Sequence, residues 1–104
     1  MSRCGLHGKM VAKPGMGDAL ASILLRAAEV LADDPGCELY VIHRSDDEPD
    51  SVWVSEVWVD KDAHRASLET PETRAMIEQA TPLIAEIPGG TETKPVGGKG
   101  LPDR

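Results

Sequence analysis

The sequence predicts an α+β fold, a ferredoxin-like β-α-β-β-α-β arrangement with helices covering one face of a four-stranded antiparallel sheet. Three observations predict it. Residues 5–13 alternate between apolar and polar with period two. Residues 18–32 repeat their apolar positions at helical spacing. Two further segments rich in β-formers, 37–44 and 51–59, follow one another across a polar connection and precede a second helical stretch.

In the first strand, Gly5 to Lys13, the positions Leu6, Met10 and Ala12 alternate with His7, Lys9, Val11 and Lys13. Pro14-Gly15-Met16-Gly17 is a turn, and Asp18 is the expected N-cap of the helix. Leu20, Ile23, Leu24, Ala27, Val30 and Leu31 form that helix's apolar side, and Asp33-Asp34-Pro35-Gly36 ends it. Cys37 to Arg44 is the second strand. Ser45 to Asp50 reads as a six-residue polar loop, and Ser51 to Val59 is the third strand. Asp60 caps the helical stretch Asp62 to Glu69. Thr70-Pro71 restarts a helix with Thr as N-cap and Pro in the first turn. Its expected apolar face is Ala75, Met76, Ala80, Leu83 and Ile84, interrupted at Pro82. Pro88-Gly89-Gly90 closes the helical region, Thr91 to Val96 is the last strand, and a Gly-rich tail covers 97–104.

With 104 residues, the chain is expected to be a single domain, 1–104, with its core within about 5–96. Its net charge is −7, without a basic cluster, and only three residues are aromatic: Tyr40, Trp53 and Trp58. Phosphate binding and base stacking both need what this composition lacks, so nucleic acid is excluded as a partner. No apolar run approaches the roughly 20 residues that cross a bilayer, and no apolar leader opens the chain. A cytoplasmic location is therefore the expectation. Cys4 and Cys37 form no C-x-x-C and no disulfide framework.

The third strand carries Trp53, Ser55, Val57 and Val59 on one side and Val52, Val54, Glu56 and Trp58 on the other. A strand apolar on both faces is buried on both. In so small a chain this predicts a second copy of the sheet, a homodimer, with Trp53 toward the partner. Leu101, the tail's last apolar residue, points to the tail lying along that partner.

Candidate chemistry gathers at the end of the third strand. Glu56 and Trp58 share a face, and His64 lies one turn into the next helix. A carboxylate, an indole N–H and an imidazole that meet there can take a proton from an acidic phenol or enol and hold the anion. His64 is the expected acid/base, because an imidazole titrates near neutrality. Equally open are a core Trp58, a surface His64, and a structural ion pair of Glu56 with Arg44 or Arg65. His43 is a second pocket candidate. His7, His43 and His64 show no metal-ligand spacing, and no nucleotide or flavin fingerprint is present.

The segments A-K-P-G at 12–15, P-G-C-x-x-Y at 35–40, S-E-V-W-x-D-x-x-A-H-x-x-S-L at 55–68 and P-V-G-G-K-G-L at 95–101 together resemble the antibiotic biosynthesis monooxygenase (ABM) domain, in particular its small quinol-monooxygenase-like members. The resemblance implies a dimeric α+β barrel that oxidises a quinol or polycyclic phenol with O₂, without metal or flavin. In this chain Trp58 matches the family's pocket Trp. Val54 stands where polyketide-oxidising members carry Asn, and His64 where they carry Tyr. Haem-degrading relatives need an Asn on the first strand and a later His. The chain has no Asn, and Leu68 occupies that His position, so haem degradation is disfavoured. The implied substrate pocket includes His43, Val54, Leu68 and Met76 beside the catalytic candidates His64, Trp58 and Glu56. The alternatives are a small-molecule-binding or stress-related dimer without catalysis, or an isomerase-type enzyme on the same fold. If Leu20, Leu24, Met76 and Leu83 fill the space beside Trp58, the non-catalytic reading gains.

Overall fold

Nine residues with strong alternation, Cys4–Ala12, form strand β1 at the centre of the sheet in the computed structural model, which describes residues 2–102. Helix α1 (Gly17–Leu31) follows, then β2 (Cys37–Ser45), β3 (Glu48–Trp58), α2 (Lys61–Ser67), α3 (Pro71–Ala80), a 3₁₀ turn at Thr81–Leu83, and β4 (Ile84–Thr93). The strands pair in the order β2-β3-β1-β4, all antiparallel. This is the ferredoxin-like topology, with the second crossover split into two helices because Thr70 and Pro71 cap and start a new one. No described helix is long and apolar enough to cross a membrane.

The pleat assigns the two faces. Ala12, Val52 and Val54 point toward α1, where they bury against Leu20, Ala21, Ile23, Leu24 and Ala80. Leu20 and Val52 are fully buried. Val30, expected on this side, is 41% exposed. The opposite face carries His7, Lys9, Val41, His43, Trp53, Ser55 and Val57 in register.

Three boundaries differ from the sequence expectation. First, Asp18 is not the N-cap of α1. Met16 holds that position, and the carboxylate of Asp50 accepts from the backbone N–H of Gly15 (3.2 Å) and Gly17 (3.3 Å). Asp18 instead pairs with Arg44 at 3.0 Å. A residue from β3 thus satisfies the orphan donors of the helix start. Second, β3 begins at Glu48, so a two-residue turn, not a six-residue loop, joins the hairpin. Polar residues extend the strand because each has a partner: Glu48 binds Lys9 (2.7 Å), and the Pro49 carbonyl accepts from Arg44 (2.6 Å).

Third, β4 runs from Ile84 to Thr93, with Pro88-Gly89-Gly90 inside it. Ile84 therefore belongs to a strand and Ala75 is exposed, leaving Met76 and Ala80 to face the core from α3. A proline is tolerated here because β4 is an edge strand. Register shifts against Lys9–Val11 and Val11–Ala12 place extra residues on β4, and Gly89 sits at φ +141°, where glycine is favoured. After β4 the tail runs back beside the start of β1. Pro95 lies over Gly5, and the Pro102 carbonyl accepts from Arg3, whose guanidinium also binds the buried Glu38 carboxylate at 2.7 Å. Asp103 and Arg104 lie outside the described residues.

Candidate functional site

A cavity of about 280 Å³ lies between the helix-covered face of the sheet, α1 and α3. Its walls are apolar: Ile23, Leu24 and Ala27 from α1, Met10 from β1, and Met76 and Ala80 from α3. Leu68, Ile77 and Ile87 also line it and are 41%, 48% and 62% exposed, so they form its mouth. Leu20 packs below it in the core, and Leu24 and Met76 stand at its walls without filling it.

The polar groups concentrate at one side. Glu56 and Trp58 project from the same face of β3 because they are two residues apart. The Trp58 indole Nε1–H donates to Glu56 Oε1 at 3.0 Å, and both residues line the cavity. Trp58 is 1% exposed, so this bond satisfies a buried donor that would otherwise be costly to leave unmade.

His64 comes from α2, which starts where β3 ends. Asp60 Oδ1 accepts from Ala63 N at 2.8 Å and fixes that start. The buried Ser67 hydroxyl donates to the His64 carbonyl at 2.6 Å and ties down the following turn. The imidazole meets the Trp58 ring edge-on, with centroids 5.4 Å apart at 61°. Its Nε2 is 3.9 Å from Glu56 Oε1. His64 does not line the cavity. It stands beside Glu56 outside the cavity wall, with its side chain 26% exposed against 19% for Glu56.

The structure therefore brings Glu56, Trp58 and His64 together and sets Leu68 and Met76 at the same cavity. Two candidates lie elsewhere. Val54 is packed in the core under α1. His43 is on the opposite face of the sheet, where its Nε2 contacts Ser55 Oγ at 3.1 Å. Strand parity separates it from the pocket: Tyr40 pairs with Glu56, and His43 three residues on pairs with Trp53. The expected ion pair of Glu56 with Arg44 or Arg65 is not formed, since Arg44 pairs with Asp18 and Arg65 with Asp62. Among the described residues, no cluster of three or more His, Cys, Asp or Glu side chains is arranged to hold a metal ion.

Tyr40 is a cavity residue that sequence reasoning left out. The signal was present in the alternation of β2, but it needed the register that sets Tyr40 opposite Glu56. Burial, reinforced by the nearby Glu56 charge, pushes its phenol well above the ordinary range, so it stays protonated. Cys37, beside Trp58 in the ladder, is pushed up to about 11, chiefly by burial. The arrangement is an apolar chamber with a carboxylate, an indole and a neutral phenol at one side, suited to binding an uncharged molecule and moving one proton.

No curated protein matches the chain. A solved structure from Chloroflexus aurantiacus J-10-fl, provisionally described as an antibiotic biosynthesis monooxygenase, is 42% identical, with a TM-score of 0.89 over 97% of this chain and 100% of that one. A Caulobacter crescentus CB15 structure with the same provisional description is 25% identical, with a TM-score of 0.82 over 92% of each chain. A Shewanella oneidensis structure, 21% identical over 90% of this chain and 91% of that one, shares the fold at a TM-score of 0.81. The sequence profile described as "Antibiotic biosynthesis monooxygenase" matches residues 5–79, more than half of the chain. Taken with the pocket and the ferredoxin-like sheet, these matches establish that the chain belongs to the antibiotic biosynthesis monooxygenase family.

Proposed function

We propose that the protein is a monooxygenase that oxidises a quinol or polycyclic phenol with O₂, drawing the electrons from the substrate itself. The observation that carries this reading is the Glu56 carboxylate set into an apolar chamber, bonded to Trp58 and flanked by His64. Glu56 takes the phenolic proton, because it is the group that touches the cavity. His64 stands beside it as the route by which the proton reaches solvent. This reverses the roles expected from the sequence, where His64 was the base and Glu56 its support.

The substrate anion then passes one electron to O₂, and the resulting radical pair combines into a peroxide at the activated ring carbon. The O–O bond breaks. One oxygen remains as a carbonyl, and the other leaves as water with the two hydrogens lost from the hydroxyl and the ring carbon. The protein contributes position, desolvation and proton transfer.

The reading includes self-association through the open sheet face. Val41 is 39% exposed there beside Trp53, which lies under Lys9 Nζ at 5.3 Å. A second sheet packed on this face would enlarge a thin core. Sedimentation at micromolar concentration is expected to give a dimer; a monomer refutes this part of the reading.

The test of the activity is oxygen uptake by metal-stripped protein with a panel of hydroquinones and anthrones. Glu56→Gln keeps an acceptor for Trp58 while removing the base, and is expected to lower the rate about a hundredfold or more. An unchanged rate in Glu56→Gln refutes the proposed base, and a wild-type rate in His64→Ala removes His64 from the proton route. Ligand binding without uptake on any panel member leaves a binding domain.

A further inference from the structure

Among the side chains that line the cavity, Tyr40 and Glu56 each carry a polar atom that no hydrogen bond of the fold occupies. The Ser67 hydroxyl donates to the His64 carbonyl, the Thr81 hydroxyl donates to the Ile77 carbonyl, and Thr73 accepts from Thr70. Glu56 Oε1 is taken by Trp58. Tyr40 Oη and Glu56 Oε2 have no hydrogen-bond partner among the described residues. They belong to directly opposed residues of β2 and β3, on the cavity side of the sheet.

One group is a donor in search of an acceptor; the other, as a carboxylate, is an acceptor only. A single hydroxyl oxygen satisfies both, donating to Glu56 Oε2 while accepting from Tyr40 O–H. A carboxylate or sulfate satisfies only Tyr40 and faces the Glu56 charge, and no Lys or Arg lines the cavity to offset that repulsion. The volume, about 280 Å³, lies just below the roughly 300–1,000 Å³ of small-molecule pockets, and the walls are apolar.

We infer that Tyr40 and Glu56 form a donor–acceptor pair that selects an uncharged, hydroxyl-bearing ligand, with Tyr40 holding the oxygen when its proton moves to Glu56. The inference rests on the reading above for the proton transfer, but the selection itself is a matter of binding. It makes Tyr40 the oxyanion donor of the site. The phenol is suited to this because burial keeps its proton in place through the neutral range.

The experiment is calorimetric binding under argon, with naphthalene, 1-naphthol and 1-naphthoate as probes. Wild type is expected to bind 1-naphthol about tenfold more tightly than naphthalene, and 1-naphthoate least. Tyr40→Phe keeps the ring and is expected to lose about fivefold to tenfold for 1-naphthol and nothing for naphthalene. Its unchanged naphthalene affinity also shows that the variant is folded. Glu56→Gln is expected to raise 1-naphthoate affinity by about tenfold by removing the opposing charge.

Undiminished 1-naphthol affinity in Tyr40→Phe, tightest binding of 1-naphthoate by wild type, or no binding of any probe overturns the inference. Failure of the oxygenase reading is separate. A hydroxyl preference lost in Tyr40→Phe, without oxygen uptake by wild type, removes the oxygenation and keeps the selection.

Discussion

Replacing Gly17 by Ala sets helix propensity against packing, and the structure decides the sign. Alanine is favoured over glycine in a helix by about 0.5–1 kcal/mol, and it also restricts the unfolded chain. At Gly17, the first residue of α1, an added Cβ would run into the Pro49 carbonyl oxygen and lie 2.9 Å from Arg44 Nη2 and 3.0 Å from Asp50 Cα. Two of these neighbours are backbone and cannot rotate away. The same junction holds the Arg44–Pro49 hydrogen bond at 2.6 Å and the Asp50 bonds that cap the helix. Overpacking of this kind costs about 1–3 kcal/mol, and loss of the Arg44 bond about 1 kcal/mol more. The net expectation is destabilisation by about 1–3 kcal/mol. That corresponds to a Tm lower by about 4–8 °C per kcal/mol in a chain of this size. Urea unfolding followed by tryptophan emission should show a lower midpoint at an unchanged slope. Gly8, where a Cβ meets nothing within 4 Å, is the control, and Gly8→Ala is expected to be neutral or stabilising. A Gly17→Ala protein as stable as wild type would refute the steric argument.

Two further predictions concern the groups around Trp58. Asp60→Ala removes the cap of α2, the helix that carries His64. It is expected to cost about 1 kcal/mol and to speed amide exchange across Lys61–Ser67, whereas Asp60→Asn should retain most of the protection. Unchanged exchange in the alanine variant would refute it. Burial pushes the Cys37 thiol up to about 11 in the folded chain, against about 8.5 when unfolded. Its contribution is therefore complete below the unfolded value and is lost as pH rises toward 11. The urea midpoint should fall between pH 8 and 10.5, and fall less in Cys37→Ala. A midpoint that rises with pH, or an identical fall in both proteins, refutes it.

What could be read from the sequence alone was whatever depends on near neighbours in the chain. The apolar stripe of α1, the caps Asp60 and Thr70, and the shared face of Glu56 and Trp58 follow from periods of 3.6 and 2. The family pattern in 35–40 and 55–68 is equally local. So is the proximity of His64 to the end of β3, because a capped helix starting at Lys61 allows few other positions.

What the tertiary structure decided were the features set by pairing between distant segments. Register across β2 and β3 put Tyr40, not His43, beside Glu56, and a shift of one residue would exchange the two faces. Pairing with β1 made a strand of Pro88-Gly89-Gly90, which local propensity reads as a break. The start of α1 is satisfied by Asp50, 33 residues away from Gly17. Which of Glu56 and His64 lines the cavity was also decided in three dimensions: both side chains sit at the end of β3, but packing sets only Glu56 into the cavity wall.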